Sequence, residues 1–301
     1  MRLLHDTKVD FLGKSFLYLL ISSTLLIGTI VVLFINGGPL LGIDFTGGTF
    51  LQIGFKELPP IEEIRKTLDD AGVKSFTLQS QPSANSVIVR VKEGEKSKED
   101  IAQDLIKILK EKFPGKVKEV PERVEFVGPA IGKKFIVDAL LAIFWSMVAM
   151  IVYVAFRFKN WVWGFTSVLA LVHDVIISVG VLTLLKVEIN LVVVAALLTL
   201  AGYSMNDTIV IFDRVRENLR GVRKETPKDL LNRSLNETLG RTVNTALIAF
   251  LASLALYVWG GNVIHEFAFT YCFGVIIGSY STFAVAVPLA YTISYAKKQP
   301  T

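Results

Sequence analysis

The sequence predicts a polytopic α-helical membrane protein with six transmembrane helices and a small α+β ferredoxin-like domain outside the membrane. Three observations predict this class. The 301-residue chain is 52% hydrophobic with a mean hydropathy of +0.51, which is more apolar than a soluble globular domain. Several apolar runs are long enough to span a bilayer. A single hydrophilic segment, residues 36–135, separates the first run from the others.

The apolar runs define the predicted spans and the division of the chain. They lie at 16–35, 136–156, 161–184, 191–212, 242–260 and 267–293. The first run is not a cleavable signal, because it is long enough to span and no small-residue cleavage site follows it. The last run contains Pro288, so we expect a tilt or a kink there. The predicted parts are residues 1–35 with the first helix, an outer domain at 36–135, and a five-helix bundle at 136–301.

Basic residues concentrate on one side of the predicted bundle. They precede the first span, occupy the turn at 157–159, follow the last span, and are most frequent in the predicted turn from 214 to 241. That turn holds eight basic residues and four acidic ones. The positive-inside rule makes this side cytoplasmic, so both termini are predicted to be cytoplasmic. The net charge of +5 is explained by these loops, and we expect no nucleic-acid partner.

The outer segment is predicted to fold in the order βαββαβ, the split βαβ or ferredoxin-like pattern. A helix at 61–70 begins after a proline pair and ends near Gly72. In a second helix at 97–113, apolar residues at 101, 105, 108 and 109 share one face. The predicted strands lie at 49–55, 74–79, 86–92 and 116–127. Its charge is nearly balanced and no pocket chemistry is visible, which indicates a solvated, partner-binding or mobile module.

Several kinds of chemistry are excluded by spacing. The stretch from Gly128 to Lys134 is one residue short of a phosphate-binding loop and lacks its Ser or Thr, so Gly128, Pro129 and Gly132 are interpreted as a hinge entering the second span. The histidines are scattered, which predicts no metal site. The single cysteine, Cys272, permits no intramolecular disulfide. With no nucleophile–base arrangement either, we expect neither an enzyme nor a cofactor.

Polar residues inside the predicted spans are the candidate functional groups. Asp207 appears before the fourth apolar run has ended, and His173 and Asp174 lie mid-way along the third. An ionisable residue at the centre of a span costs roughly 2.5–3.5 kcal/mol and is functional by default. Arg241 begins the fifth span, where it either snorkels to the interface or pairs with an acid. The alternative for the acids is a structural hydrogen bond between helices.

The surroundings of such a carboxylate favour a proton over sodium. Burial favours its neutral form and a nearby arginine favours its charged form, so a site between these influences loads and releases protons at physiological pH. Sodium would need several oxygen ligands and the broken half-helices typical of such sites, which are not obvious here. The choice between the two ions stays open at this point.

Five stretches resemble the SecD/SecF family of protein-export membrane proteins, within the resistance–nodulation–division superfamily. The resemblance spans the whole chain and is to the SecF half. The fourth-span motif is the most specific, whereas the first motif is shared by both halves. The motifs are GIDFTGGT (42–49), VGPAIGKKF (127–135), LVHDVIISVG (171–180), AGYSMNDTIVIFDRVRENLR (201–220) and LNETLGRTVNTAL (235–247).

This resemblance implies a function and a set of partners. It implies an accessory subunit that, with SecD as a separate chain in a heterodimer, uses the proton-motive force to promote preprotein export through SecYEG after the SecA-driven step. YajC and YidC would be further partners, and the location would be the bacterial cytoplasmic membrane. Asp207 matches the family's fourth-span aspartate, Arg241 its fifth-span arginine, and His173 with Asp174 its third-span pair. A proton gradient, or alternatively sodium, would supply the energy.

Two other functions remain open from the sequence. One is a structural or assembly subunit in which the buried acids only hold helices together. The other is half of a proton-coupled small-molecule exporter, for which the outer domain is small.

Overall fold

A computed structural model describes residues 7–73, 76–81, 85–91, 98–221 and 225–294. It divides into two compact units, one of Met1–Leu40 with Ala139–Thr301 and the other of Leu41–Asp138. The sequence placed these divisions after residues 35 and 135. In chain order the elements are α1 (Ser15–Ile35), α2 (Ile43–Thr46), β1 (Gly48–Gly54), α3 (Ile61–Asp70), β2 (Phe76–Gln81), β3 (Ser86–Val91), α4 (Lys98–Lys112), β4 (Arg123–Val127), α5 (Pro129–Phe158), α6 (Trp161–Leu184), α7 (Leu191–Gly221), α8 (Pro227–Trp259), α9 (Asn262–Ser281), a π-helical turn (Thr282–Ala286) and α10 (Val287–Ser294).

Six helical segments of the described chain are long and apolar enough to cross a membrane. They correspond to the six predicted spans, and this confirms the predicted fold class. The sixth is not one regular helix: the π-helical turn separates α9 from α10 just before Pro288. Proline lacks an amide donor and its ring crowds the carbonyl four residues earlier, here that of Ala284. The irregularity expected at Pro288 is therefore a widened turn.

The prediction of a turn from 214 to 241 was wrong, because most of this segment is helical. α7 continues to Gly221, and α8 begins at Pro227 after Thr226, whose Oγ1 accepts a hydrogen bond from the Asp229 amide at 3.2 Å. Its many charges suggested a loop. However, Leu230, Leu231 and Leu235 are 2–4% exposed, and their spacing is that of a helix with one apolar face. Arg223 and Lys224 lie outside the described residues.

The second unit is built on a four-stranded antiparallel sheet in the order β2-β3-β1-β4. The predicted element order, βαββαβ, is the observed one. In register, Leu51 of β1 lies opposite Val89 of β3 and Val124 of β4. Leu51 and Val89 are fully buried, as are Ile64 of α3 and Leu109 of α4. These residues belong to one apolar core, and the face predicted for the second helix is the face that packs into it.

The last strand is shorter than the predicted 116–127. β4 begins only at Arg123, and Val117 forms an isolated bridge with Phe55. Pro121 stands between them and cannot donate to a strand ladder. The predicted strand and helix residues at 74, 75, 92 and 97 lie outside the described residues.

The interior of the first unit is formed by α6, α7 and the α9–α10 segment. More than half of the most apolar stretch of each is buried, against about a tenth or less in α1, α5 and α8. Three aromatic side chains pack together in this interior. Trp163 stacks on Phe212 with ring centroids 5.0 Å apart, and Phe158 contacts both rings. α6 and α7, which carry the candidate acids, are thereby held in the centre.

Candidate functional site

Asp207 is buried in the middle portion of α7 with little to satisfy its carboxylate. Its side chain is 2% exposed. Oδ1 accepts a hydrogen bond from Thr245 Oγ1 of α8 at 3.4 Å, which is long. Oδ2 is buried and has no hydrogen-bond partner among the described residues. Leaving a buried carboxylate oxygen without a hydrogen bond is costly, and the one long bond ties Asp207 only weakly to α8.

Thr245 connects Asp207 to the start of the predicted fifth span. Its hydroxyl also lies 2.9 Å from the carbonyl oxygen of Thr242 and 3.1 Å from that of Arg241, on the same helix. Arg241 itself is exposed, and none of the ion pairs in the described part of the chain joins it to Asp207. The structure thus brings Asp207 to the turn of α8 that follows Arg241, without bringing the two charges into contact.

A cleft of about 1110 Å³ lies beside this turn. Its walls are residues 7–10 of the N-terminal segment and the facing parts of α7 and α8, and both Arg241 and Thr245 line it. Basic and acidic side chains are interspersed along the walls, among them Lys8, Asp213 and Glu237. Because one lining residue is the hydroxyl partner of Asp207, the cleft provides a polar approach to the buried acid.

Asp174 has the opposite surroundings. It is fully buried in α6. Oδ2 accepts hydrogen bonds from Ser204 of α7 and Ser281 of α9, each at 2.8 Å. Oδ1 lies 3.0 Å from Nδ1 of His173, which donates because a carboxylate can only accept. His173 is 4% exposed and its Nε2 has no partner among the described residues. Both oxygens of Asp174 are therefore satisfied, by three helices.

Charged and polar residues join the C-terminal part of α7 to the N-terminal part of α8 at Glu237. Arg214 Nε contacts Glu237 Oε2 at 2.6 Å, and Arg233 contacts both Glu225 at 2.7 Å and Glu237 at 3.4 Å. Asn218 donates to the same Glu237 oxygen at 2.8 Å. Partly exposed ion pairs contribute little singly, but a network that shares one carboxylate has better-defined geometry. The network keeps the two helices aligned along the cleft.

The N-terminal segment is bound to α8 by two asparagines. Asn236 pairs with the Val9 backbone twice, accepting from its amide at 2.9 Å and donating to its carbonyl at 2.8 Å. Asn232 accepts from the Leu12 amide at 2.9 Å and donates to Asp10 at 2.7 Å. The Gly13 amide and Asn232 together hold the pKa of Asp10 below its ordinary value. We call residues 7–13 the N-terminal strap; its first part forms one wall of the cleft.

The residues predicted as a hinge lie at the beginning of α5. Pro129 is its first residue, a position that suits proline because its missing amide has no partner there. A Cβ at Gly132 would lie 2.8 Å from the carbonyl oxygen of Phe45, whereas a Cβ at Gly128 would meet nothing within 4 Å. Gly132 thus has a packing reason to be glycine. The hinge stays a prediction. Of its two glycines, Gly128 is the one at which a side chain would meet no neighbouring atom of the described residues.

Sequence reasoning missed the hydroxyl partners of both acids. Ser204 and Ser281 on Asp174, and Thr245 on Asp207, are small polar residues in apolar helices. One signal was present, since Ser204 precedes Asp207 by three residues and so lies near it on the same helix. Within the part of the chain that the structure describes, no group of three or more His, Cys, Asp or Glu residues is placed to hold a metal ion.

The fold and the site together define a class: a multi-pass membrane protein with two buried aspartates in its helical bundle and a small antiparallel α+β domain between its first two spans. Residues 106–296 match the family model "Protein export membrane protein SecD/SecF, C-terminal". The chain belongs to the SecD/SecF family.

Two relatives that align with this chain over almost their whole length are protein translocase subunits. The chain is 39% identical to the protein translocase subunit SecF of Endomicrobium trichonymphae over 96% of this chain and 92% of the relative. It is also 39% identical to that of Calditerrivibrio nitroreducens, over 98% and 97%.

Solved structures of SecDF cover nearly all of this chain. A crystal structure of SecDF, a translocon-associated membrane protein from Thermus thermophilus, superimposes with a TM-score of 0.86 at 33% identity over 97% of this chain. SecDF in a super-membrane-facing form gives 0.68 at 34% identity. The chain spans about two fifths of the length of these SecDF chains (39% and 40%).

Proposed function

We propose that this chain is an accessory subunit of the Sec protein translocase which, together with a SecD partner, uses the proton-motive force to promote preprotein export. Its membership of the family along nearly its whole length supports the translocase role. The single observation that supports ion coupling is Asp207, a carboxylate in an apolar span. Among the described residues, one of its oxygens has no partner and the other accepts a hydrogen bond only from the Thr245 hydroxyl at the cleft.

In this proposal Asp207 takes up and releases the proton. When it is neutral, it is compatible with its apolar surroundings; when it loses the proton, its charge must be solvated or paired. Arg241 lines the same cleft and is the cation available to approach it through a small movement of α8. His173 and Asp174 belong to the same coupling machinery. Sodium in place of the proton is the alternative.

The available energy is sufficient for a conformational step. One elementary charge crossing a potential of 100 mV is worth about 2.3 kcal/mol. That amount is comparable to the cost of breaking a few inter-helix hydrogen bonds. We propose that the rearrangement reaches the outer domain through the hinge at Gly128, Pro129 and Gly132.

The proposed setting is the bacterial cytoplasmic membrane, with both termini in the cytoplasm and the lipid bilayer around the bundle. SecD is the proposed partner in a heterodimer. The SecYEG channel, SecA, YajC, YidC and the translocating preprotein are the further proposed contacts. The role is not enzymatic, and no cofactor takes part.

The test compares two aspartates of the same helix in membrane vesicles containing the chain and its SecD partner. Asp207→Asn preserves shape and removes the titratable group, so potential-dependent export per assembled complex should fall to near background. Asp213→Asn is the matched control: its side chain is 48% exposed and paired with Arg157 and Arg216, and export should remain close to that of the unaltered chain.

Three outcomes separate the alternatives. Full export by Asp207→Asn with normal assembly rules out the carrier role. A lower yield of complex with unchanged export per complex supports the assembly subunit. Sensitivity of a deletion strain to toxic solutes without a secretion defect supports the small-molecule exporter. Repeating the assay with a proton or a sodium ionophore identifies the coupling ion.

A further inference from the structure

The two buried aspartates lie on adjacent interior helices but differ in almost every contact. Asp174 is fully buried and accepts three hydrogen bonds, whereas Asp207 accepts one long bond and its Oδ2 has no partner among the described residues. The lining of the cleft includes Thr245, the partner of Asp207, and none of the residues bonded to Asp174. A carrier must exchange protons with water, and in the described part of the chain this cleft gives Asp174 no such approach.

The partners of Asp174 come from three different helices. His173 is its neighbour on α6, Ser204 belongs to α7 and Ser281 to α9. The backbones approach closely at this level, because a Cβ on Gly278 of α9 would lie 3.1 Å from the Ser204 Cβ. Thr208 Oγ1 of α7 also lies 3.4 Å from Thr282 Oγ1 of the π-helical turn. One carboxylate therefore fixes the positions of three interior helices relative to one another.

Ser204 connects this arrangement to the proposed carrier. It precedes Asp207 by three residues on α7, slightly less than one helical turn. A rotation or shift of α7 at Ser204 would move Asp207 relative to Thr245 of α8. Because the Thr245 bond is already long at 3.4 Å, a small displacement of α7 is enough to make or break it.

We propose that Asp174 is a positioning residue and not a proton carrier: through Ser204 and Ser281 it sets the placement of α7 and hence the contact between Asp207 and Thr245. This inference rests on the proposed function of Asp207. It assigns the two acids separate tasks, one as a fixed acceptor at the junction of three helices and the other as the group that changes its protonation.

The hydrogen-bond pattern makes a sharp test possible. In Asp174→Asn the side-chain carbonyl can still accept from His173, and the amide can donate to the oxygens of Ser204 and Ser281. Ser281 has a second acceptor available, since its Oγ lies 3.1 Å from the carbonyl oxygen of Gly278. A positioning role therefore survives the loss of the charge, whereas a carrier role does not. Asp174→Leu keeps a similar volume and removes every bond.

Export per assembled complex is measured for these variants in the vesicles described above, beside Asp207→Asn. We expect Asp174→Asn to keep about half or more of the normal rate and Asp174→Leu to lose about tenfold or more, as expected when three buried hydrogen bonds are removed. If Asp174→Asn assembles normally and is as inactive as Asp207→Asn, Asp174 is itself a carrier and the inference is overturned. If instead Asp207→Asn exports normally, the proposed function fails, and the two failures are distinguishable.

A second measurement does not depend on the Asp174 variants folding. A hydrophobic carbodiimide modifies protonated carboxyl groups within membranes, and mass spectrometry locates the modification in the unaltered complex. We expect modification at Asp207 and none at Asp174. Modification of Asp174 at a comparable rate, with matching loss of export, overturns the inference.

The positioning effect is read from the rate of that modification at Asp207. Replacing both Ser204 and Ser281 with alanine should change the rate several-fold and reduce export. Ser178→Ala is the matched control, because Ser178 is a serine of α6 that is 1% exposed and whose Oγ has no hydrogen-bond partner among the described residues; it should change neither. An unchanged rate and unchanged export in the double alanine variant contradict the proposal.

Discussion

At the scale of single residues, the cost of burying a charge explains which contacts this bundle contains. Asp174 and Asp207 are both almost inaccessible to solvent, and each would be expensive as an isolated anion. Asp174 offsets this cost with hydrogen bonds from His173, Ser204 and Ser281. Asp207 does not, so its neutral form is favoured whenever no cation or water reaches it. The difference lies in the neighbours of each residue and not in the residue type.

Arg241 gives a prediction that separates function from stability. Its side chain is exposed and joins no ion pair among the described residues, so Arg241→Gln should lower the thermal stability of the complex little, by about 0.5 kcal/mol or less. If the arginine compensates the Asp207 charge during the cycle, proton-driven export should nevertheless fall by about tenfold. Export and the melting midpoint of the purified complex are measured in parallel.

The control for Arg241 is Lys228→Gln, which removes a cation from the wall of the same cleft. Lys228 belongs to the first turn of α8, far in sequence from Thr245, and export should be unaffected. Equal losses in both variants would show that the cleft responds to its total charge and that Arg241 has no individual role.

The positions of the two acids were predictable from the sequence, but their partners were not. Asp207 interrupts an apolar run, and this can be seen without a structure. Whether Ser281 reaches Asp174 depends on how α9 is rotated, and the helix is apolar on all sides, so no periodicity indicates its orientation. For Arg241 the sequence left open both snorkelling to the interface and pairing with an acid; in this conformation Arg241 is exposed, and the group that contacts Asp207 is the Thr245 hydroxyl.

At the scale of elements, the helical extensions of α7 and α8 form the cleft. Both helices continue beyond the predicted spans, and the contacts of Arg214 and Asn218 of α7 with Glu237 of α8 hold the extensions together. The N-terminal strap lies along α8 because Asn232 and Asn236 bind its backbone. The strap's own side chains contribute as well, since Asn232 donates to Asp10 and both Phe11 and Leu12 are buried.

The strap supplies a second prediction. Asn236→Ala removes both bonds to the Val9 backbone, worth about 0.5–1.5 kcal/mol each, so the strap should detach more often. Hydrogen exchange at the Val9 and Leu12 amides should accelerate by about tenfold. Thr238→Val is the control, since within the described residues the Thr238 hydroxyl bonds only to carbonyl oxygens of Ser234 and Leu235 on its own helix. Equal acceleration in the control would mean that the strap is held by its apolar residues.

The beginning of α5 allows the hinge to be tested separately from packing. Among the described residues, a methyl group at Gly128 meets no atom within 4 Å, so Gly128→Ala should fold normally and restrict only the backbone. If the hinge operates, export should decrease while the melting midpoint is unchanged. Gly132→Ala is the contrasting variant, because its methyl group would press on the Phe45 carbonyl oxygen at 2.8 Å and destabilise the protein by about 1–3 kcal/mol. Unchanged export by Gly128→Ala excludes a hinge at that residue.

At the scale of the whole molecule, the number of spans followed from the sequence, whereas their arrangement did not. Length and hydropathy identify a span, and six were found where six were predicted. Which spans lie in the centre is decided by small residues that permit close approach, such as Gly180, whose Cβ would overlap Thr29 of α1 at 2.3 Å. Such residues are frequent in all membrane helices, so they do not single out the central ones. The elements of the α+β domain were easier to predict, because apolar residues recur with a different period in strands and in helices.

The orientation of the bundle is the last prediction, and it decides which side of the membrane the cleft faces. By the positive-inside rule, the basic residues near the ends of α7 and α8 predict a cytoplasmic cleft, and the order of the spans predicts an extracytoplasmic second unit. In a Cys272→Ser background, which has no other cysteine, Asp70→Cys in the second unit and Glu217→Cys beside the cleft each provide one exposed thiol. A membrane-impermeant maleimide should modify only Asp70→Cys in right-side-out vesicles and only Glu217→Cys in inverted ones. The reverse pattern would place the cleft outside, on the side from which a proton-motive force delivers protons, and the predicted cytoplasmic position of the cleft would be wrong.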